Sequence, residues 1–126
     1  SADTTALIAV KGIGRRFAKS ILGYRRILGG YHSVEQIREV YGMKPEIFEQ
    51  IKPFLSTDPS HISKIYINKA SVERLKSHPY LTFSKAKEIY ELRRDRGKLK
   101  NIDELRKLHS LSDEDLLKIE PYLSFE

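Results

Sequence analysis

Two glycines that flank one aliphatic residue lie near the start of the chain, in the segment Gly12-Ile13-Gly14. A glycine adopts positive φ at little cost, and the absence of a Cβ leaves its backbone open to close approach. We predict a tight turn here, followed by a helix that begins after Gly14. The first N–H groups of such a helix lack partners and lie at the positive end of its dipole, so they form a site for an anion such as phosphate.

Basic residues surround this turn and would add charge to the amide donors. The predicted phosphate contacts are Lys11, Gly12, Ile13, Gly14, Arg15, Arg16 and Lys19. Contacts of this kind position a protein on a nucleic acid backbone without reading bases, so the binding they predict is independent of sequence and sensitive to salt. The alternative is a plain helix-helix turn with solvated charges.

A second, weaker turn follows at Gly42-Met43-Lys44. Lys44 replaces the second glycine, and Pro45 removes a backbone donor. Gly42 and Lys44 are therefore further predicted contacts with a neighbouring phosphate, and a purely architectural turn is the alternative.

The segment Leu7–Ile21 resembles the helix-hairpin-helix motif of DNA-binding proteins, which has an apolar pair three residues apart, Gly-aliphatic-Gly, then a small and an aliphatic residue. Over most of its length the chain resembles the tandem domains of the ComEA-type competence DNA-receptor family. This resemblance implies sequence-independent binding of double-stranded DNA and a role in DNA uptake. It also implies an extracytoplasmic or membrane-anchored full-length protein.

An internal repeat defines the predicted architecture. A shift of 68 residues aligns Leu7–Ser56 with Leu75–Ser124 without a gap, and a fainter repeat at a shift of 30 divides each half into two hairpins. This pattern is typical of a duplicated domain. We predict an all-α fold of two tandem small domains, each a pair of helix-hairpin-helix units in a SAM-domain-like bundle. The predicted parts are a first domain at residues 1–57, a linker at 58–64 and a second domain at 65–126.

Capping residues and apolar spacing predict the helix boundaries. A first short helix, capped by Asp3 or Thr4, would carry Leu7, Ile8 and Val10. The long helix after Gly14 has one apolar stripe, formed by Phe17, Ile21, Tyr24 and Leu28. The remaining signals are helix starts near Ser33, Pro45, Ser71, Thr82, Asn101 and Ser112, and helix stops at Gly29-Gly30 and Gly97.

The second domain departs from the motif where the phosphate would bind. Pro79-Tyr80-Leu81-Thr82 replaces the first glycine turn, and Ser110-Leu111-Ser112 replaces the second. Three carboxylates that repel phosphate follow, on Asp113, Glu114 and Asp115. We expect this domain to support folding or to bind a protein partner. The basic run Arg93, Arg94, Arg96, Lys98 and Lys100 is either a secondary patch or a solvated helix end.

Composition narrows the function classes. The net charge is +6, with nine basic and five acidic residues up to Thr57 and 14 against 12 from Asp58 onwards, which favours polyanion partners of the first domain. The chain contains no cysteine, and its four histidines are scattered, so we expect no metal site, no cofactor and no enzyme. No apolar run is long enough to span a bilayer, so we expect no membrane contact by this segment.

Two further expectations concern the whole protein. Ser1 lies inside the repeat, so we expect the native chain to extend further towards the N-terminus. A structural or protein-interaction module is the main alternative to DNA binding, because three of the four turns have lost their glycine pair.

Overall fold

The computed structural model describes the backbone of residues 11–126 and the side chains of residues 16–126. The chain divides into two compact units, Ser1–Ile62 and Ser63–Glu126, which we call unit 1 and unit 2. The division falls inside the predicted linker. The short helix predicted around Leu7, Ile8 and Val10 lies outside the described residues.

Unit 1 contains one long helix followed by short helical segments. Its elements are helix α1 (Lys11–Leu28), a 3₁₀ helix (Val34–Glu39), helix α2 (Pro45–Ile51) and two further 3₁₀ helices (Lys52–Phe54 and Pro59–His61). The last of these occupies part of the predicted linker. Ile62 follows it, and its Cδ1 lies 3.2 Å from the place that a Cβ on Gly30 would take, so this segment packs on unit 1.

Unit 2 repeats this arrangement and adds a small sheet. Its elements are strand β1 (Ile65–Tyr66), helices α3 (Val72–Lys76) and α4 (Phe83–Arg96), a 3₁₀ helix (Ile102–Lys107), helix α5 (Asp113–Ile119), a 3₁₀ helix (Glu120–Tyr122) and strand β2 (Leu123–Ser124). The two strands are parallel, with Ile65 opposite Leu123 and Tyr66 opposite Ser124. This pairing joins the N-terminal segment of unit 2 to its C-terminal segment.

The repeat predicted from the sequence is present in the element boundaries. The same shift of 68 residues places Val34–Glu39 on Ile102–Lys107 and Pro45–Ile51 on Asp113–Ile119, and α1 and α4 end at equivalent residues. The predicted all-α tandem fold is confirmed. The segments after Ser33 and Asn101 are 3₁₀ helices and not α-helices. Each has six residues, and 3₁₀ helices usually occur as short segments of this kind.

Each unit has its own apolar core. In unit 1 the buried residues include Phe17, Ile21 and Leu28 of the predicted stripe of α1, Ile37 of the first 3₁₀ helix and Phe48 of α2. In unit 2 the equivalent core contains Leu75, Ile89, Leu105, Ile119 and Tyr122. Each fully buried side chain of this size contributes about 1.5–3 kcal/mol, so these residues hold the hairpins of each unit together.

The predicted caps account for most helix boundaries. Ser33 with Gln36 and Ser112 with Asp115 form capping boxes, Pro45 occupies the first turn of α2, and Gly97 ends α4 at φ 86°. At Asn101 the prediction holds in part. Glu104 accepts a hydrogen bond from the backbone N–H of Lys100, whereas the Asn101 side chain makes no capping bond.

The predicted start of the long helix is wrong in unit 1. The described backbone is already helical at Lys11, so Gly12 and Gly14 lie within α1 and not in a separate turn before it. The equivalent helix α4 begins at Phe83, because Thr82 caps it there. Gly14 is the residue equivalent to Thr82, and it has no side chain that could end the helix by capping its N–H groups.

Candidate nucleic-acid interface

The start of α1 contains the backbone donors of the predicted site. The first described turn of α1 contains the N–H groups of Lys11, Gly12, Ile13 and Gly14. They lie at the positive end of a helix of 18 residues. Predicted contacts through the side chains of Lys11, Ile13 and Arg15 lie outside the described side chains.

Arg16 and Lys19 place two exposed cations on the same helix. Residues three apart lie on one helix face, so both side chains point to the same side of α1. The Arg16 guanidinium lies 5.5 Å from the centre of the Phe17 ring. In the described part of unit 1, the ion pairs do not include Arg16, Lys19 or Lys44. Their charges are therefore available to an external anion.

The second turn of unit 1 packs against α1. Gly42 has φ 83°, and a Cβ placed on it would lie 3.7 Å from Cε1 of Phe17. The turn is closed by a hydrogen bond from the Met43 N–H to the Val40 carbonyl (3.0 Å). Lys44 follows as an exposed residue before α2. The fold thus places the turn with Gly42 and Lys44 beside the part of α1 that carries Arg16.

Two further cations of unit 1, Arg38 and Lys52, are paired within the protein. Arg38 contacts Glu35 (2.8 Å) and Glu49 (3.1 Å), and Lys52 contacts Glu35 (3.1 Å). Hydrogen bonds from Arg38, then from Lys52, lower the pKa of Glu35 below its usual value. The Arg38 guanidinium also lies 4.1 Å from the centre of the Phe48 ring. Arg38 therefore acts as a link between the 3₁₀ helix and α2.

The equivalent helix start in unit 2 is covered by the protein's own groups. Thr82 Oγ1 accepts a hydrogen bond from the Lys85 N–H (3.3 Å), and the Asp115 carboxylate lies 3.5 Å from Lys85 Nζ. A small cavity of about 170 Å³ at this place is lined by Pro79, Tyr80, Thr82, Lys85, Asp115 and Lys118. A carboxylate of the chain itself thus occupies the region that a bound anion would need.

The second interhelical turn of unit 2, at Ser110-Leu111-Ser112, is followed by acidic residues, as the sequence indicates. The Ser112 N–H donates to Asp115 (3.0 Å), and the Ser112 hydroxyl accepts from the Asp115 N–H (3.0 Å). The bonds with Ser112, and to a smaller extent Lys85, lower the pKa of Asp115. Asp113 pairs with Arg106 at 2.9 Å. Ionised carboxylates in the first turn stabilise α5 and oppose phosphate binding there.

The basic run at the end of α4 is partly used inside unit 2. Arg93 donates to the carbonyls of Ile67 (2.8 Å) and Ala70 (2.7 Å). Arg94 and Arg96 pair with acidic residues at 3.6 and 3.8 Å. These contacts favour the interpretation of the run as a helix end over that of a binding patch.

Sequence reasoning missed the role of His78. Its ring is buried between Tyr80 and Tyr122, at centroid distances of 5.1 and 4.7 Å, and its Nδ1 accepts a hydrogen bond from the Tyr80 N–H. The alignment of His78 with apolar Val10 was the signal for a core position. Among residues 11–126 no three His, Asp or Glu side chains come together in a way that would hold a metal ion. Within the same residues no helix combines the length and apolar character needed to cross a bilayer.

Comparisons with known proteins identify the motif. A family model described as the helix-hairpin-helix motif matches residues 1–56 and again residues 60–124. The chain is 27% identical over 140 aligned positions to a Xenopus laevis protein named "Endonuclease/exonuclease/phosphatase family domain-containing protein 1". The match covers 94% of this chain and 25% of that relative, so the chain spans a quarter of the relative's length. No solved structure gives a significant match.

Proposed function

Because the chain belongs to the helix-hairpin-helix family, whose motifs generally bind nucleic acids, we propose that it binds double-stranded DNA through backbone phosphates, without sequence specificity. Unit 1 provides the binding surface. The packing of Gly42 on Phe17 carries this proposal, because it places the turn before Lys44 beside the part of α1 that bears Arg16.

The proposed contacts divide into directional donors and point charges. The N–H groups from Lys11 to Gly14 bind a phosphate at the start of α1, as helix N-termini do in other proteins. The charged side chains that accompany them belong to Lys11, Arg15, Arg16, Lys19 and Lys44. None of these contacts distinguishes one base from another, so affinity depends on salt and not on sequence.

The chain itself performs no chemistry in this proposal. The Xenopus relative is named for a nuclease and phosphatase domain, and this chain corresponds to a quarter of it. One cellular role consistent with this proposal is therefore to hold DNA while another domain performs a reaction on it. DNA uptake at the cell envelope, which the resemblance to the ComEA-type family implies, is the other. Both roles require the same phosphate contacts.

A second candidate function concerns unit 2 alone. Phe83 and Leu117 are 56% and 73% exposed, and they replace Arg15 and Glu49 of unit 1. Apolar residues in place of charged ones favour contact with a protein. Unit 2 would then bind a partner while unit 1 binds DNA.

A DNA titration at several salt concentrations tests the main proposal. Substitution of Lys11, Arg15 and Lys19 by alanine should lower affinity by about 100-fold and reduce the salt slope by about 2.7, because each lost phosphate contact reduces the slope by about 0.9. The matched control removes three exposed lysines of unit 2, with Lys87, Lys98 and Lys107 changed to alanine. Failure of the unchanged protein to bind DNA in dilute buffer, or an equal loss in both variants, would contradict the proposal.

A further inference from the structure

Tyr41 is the most exposed large hydrophobic residue in the described part of the chain, at 96% of its full accessible surface. It lies between Val40, which is buried, and Gly42, whose positive φ turns the chain. The ring therefore extends from the second turn of unit 1 and adds nothing to the core. An aromatic ring displayed in this way offers both faces to a planar ligand.

A shallow groove lies next to this turn. It has a volume of about 270 Å³ and is lined by Arg38, Met43, Lys44, Pro45 and Phe48. Sites for drug-sized ligands have volumes of roughly 300–1,000 Å³, so this groove suits a smaller planar group.

The groove favours a neutral ring over a phosphate in its interior. The Arg38 guanidinium lies 4.1 Å from the centre of the buried Phe48 ring, and Glu35 and Glu49 balance its charge. Glu46 adds a further carboxylate on α2. Guanidinium planes and aromatic faces both stack on nucleic acid bases. Lys44 also lines the groove, and the described ion pairs of unit 1 leave it available to a phosphate.

We propose that the second turn of unit 1 binds one unpaired nucleotide, with its base stacked on Tyr41 and its phosphate at Lys44. This inference rests on the proposed function, since contacts at α1 hold the adjoining duplex. It narrows the substrate class to DNA in which a duplex adjoins unpaired bases, such as a gap or a single-stranded tail. A base inside a continuous duplex stays stacked on its neighbours and cannot reach the groove.

The first test compares a duplex carrying a short thymidine gap with a continuous duplex of the same length. The unchanged protein should bind the gapped duplex about tenfold more tightly, since one base stacked on an aromatic ring contributes this much. Tyr41→Ala should remove the preference and leave affinity for the continuous duplex unchanged. Tyr41→Phe should retain the preference because the ring face remains, and Tyr66→Ala in unit 2 is the matched control.

The second test detects stacking directly. The chain contains no tryptophan, so a Tyr41→Trp variant has its single indole at this turn. Oligothymidine should quench the fluorescence of this variant and leave that of a Tyr66→Trp variant unchanged. Free thymidine monophosphate should quench it more weakly, because it lacks the neighbouring phosphates.

The outcomes separate the two proposals. Equal affinity for gapped and continuous duplex, or a Tyr41→Ala variant that weakens both to the same extent, overturns the nucleotide site and leaves duplex binding intact. Quenching by oligothymidine without any duplex binding supports the nucleotide site and removes the main proposal. Absence of both quenching and duplex binding removes both.

Discussion

Thr82 of unit 2 is equivalent to Gly14 of unit 1, and the two long helices begin differently at this position. In unit 2 the Thr82 hydroxyl caps the N–H of Lys85, and α4 begins at Phe83. In unit 1 the helix extends back to Lys11, and its first described turn contains two residues without a Cβ. The helix of unit 1 thus continues through the position at which Thr82 caps its counterpart in unit 2.

The two helix starts also differ in the ion pairs of their basic residues. Lys85 in unit 2 pairs with Asp115, whereas the described ion pairs of unit 1 leave Arg16 and Lys19 unengaged. The residue of unit 1 that is equivalent to Asp115 is the uncharged Ile47. A duplicated scaffold can therefore keep its core while one copy places a carboxylate beside the start of its long helix.

The strongest test of this comparison introduces glutamates at equivalent positions of the two units. Arg16→Glu with Lys19→Glu should reduce DNA affinity by about 100-fold at low salt, because two attractive contacts become repulsive. Ser84→Glu with Lys87→Glu alters the equivalent exposed positions of unit 2 and should change affinity by less than about threefold. Fluorescence anisotropy with a labelled duplex measures both, and circular dichroism checks the folding. Equal losses would show that the two units bind DNA alike.

A smaller effect concerns the caps of the two 3₁₀ helices. Ser33 accepts a hydrogen bond from the Glu35 N–H, whereas its equivalent Asn101 makes no side-chain cap. Ser33→Ala should lower the free energy of unfolding by about 1 kcal/mol, and Asn101→Ala by less than about 0.5 kcal/mol. Urea unfolding followed by circular dichroism compares the two variants. A larger loss for Asn101→Ala would refute this assignment of the caps.

The smallest predicted effect is the pH dependence that Asp115 adds to the stability of unit 2 under acidic conditions. Its hydrogen bonds with Ser112, followed by the contact with Lys85, hold its pKa below the ordinary value of 3.8. The stabilisation is therefore complete above pH 3.8 and decreases as the pH falls through the lowered pKa of the folded state. Thermal unfolding of Asp115→Asn should depend less steeply on pH in this acidic range.

Asp95→Asn provides the control for this measurement. Asp95 is exposed and lies 3.6 Å from Arg94, an exposed pair that contributes little to stability. The thermal stability of the Asp95→Asn variant should depend on pH in the same way as that of the unchanged protein. An Asp115→Asn profile that coincides with the control would show that the carboxylate does not stabilise unit 2.

Local rules explain why much of the fold could be predicted. Ser112, Thr82 and Pro45 mark helix starts through hydrogen bonds or backbone angles within a few residues, so the sequence alone identifies them. The repeat also predicts which elements are equivalent. The candidate contacts at Gly42 and Lys44 were identified in the same way, whereas their position beside Phe17 required the packed structure.

Tertiary packing explains what could not be predicted. Tyr31 and Tyr41 each lie next to a glycine, yet Tyr31 is buried and donates to the Ile21 carbonyl, whereas Tyr41 is exposed. Phe54 and Tyr122 occupy equivalent positions after Pro53 and Pro121, and this pattern predicts core packing for both. Tyr122 is buried, but Phe54 is 53% exposed, so the core prediction is wrong for Phe54.

The most direct test of unit 1 as the DNA-binding unit is an NMR titration of the full chain with a short duplex. Backbone amide signals from Lys11 to Lys19, and those of Gly42 and Lys44, should shift progressively and reach saturation. Signals of the equivalent segment from Pro79 to Lys87 should remain in place, because its helix start is already capped by Thr82 and faces the Asp115 carboxylate. Shifts concentrated in unit 2, with the α1 amides unchanged, would contradict the account.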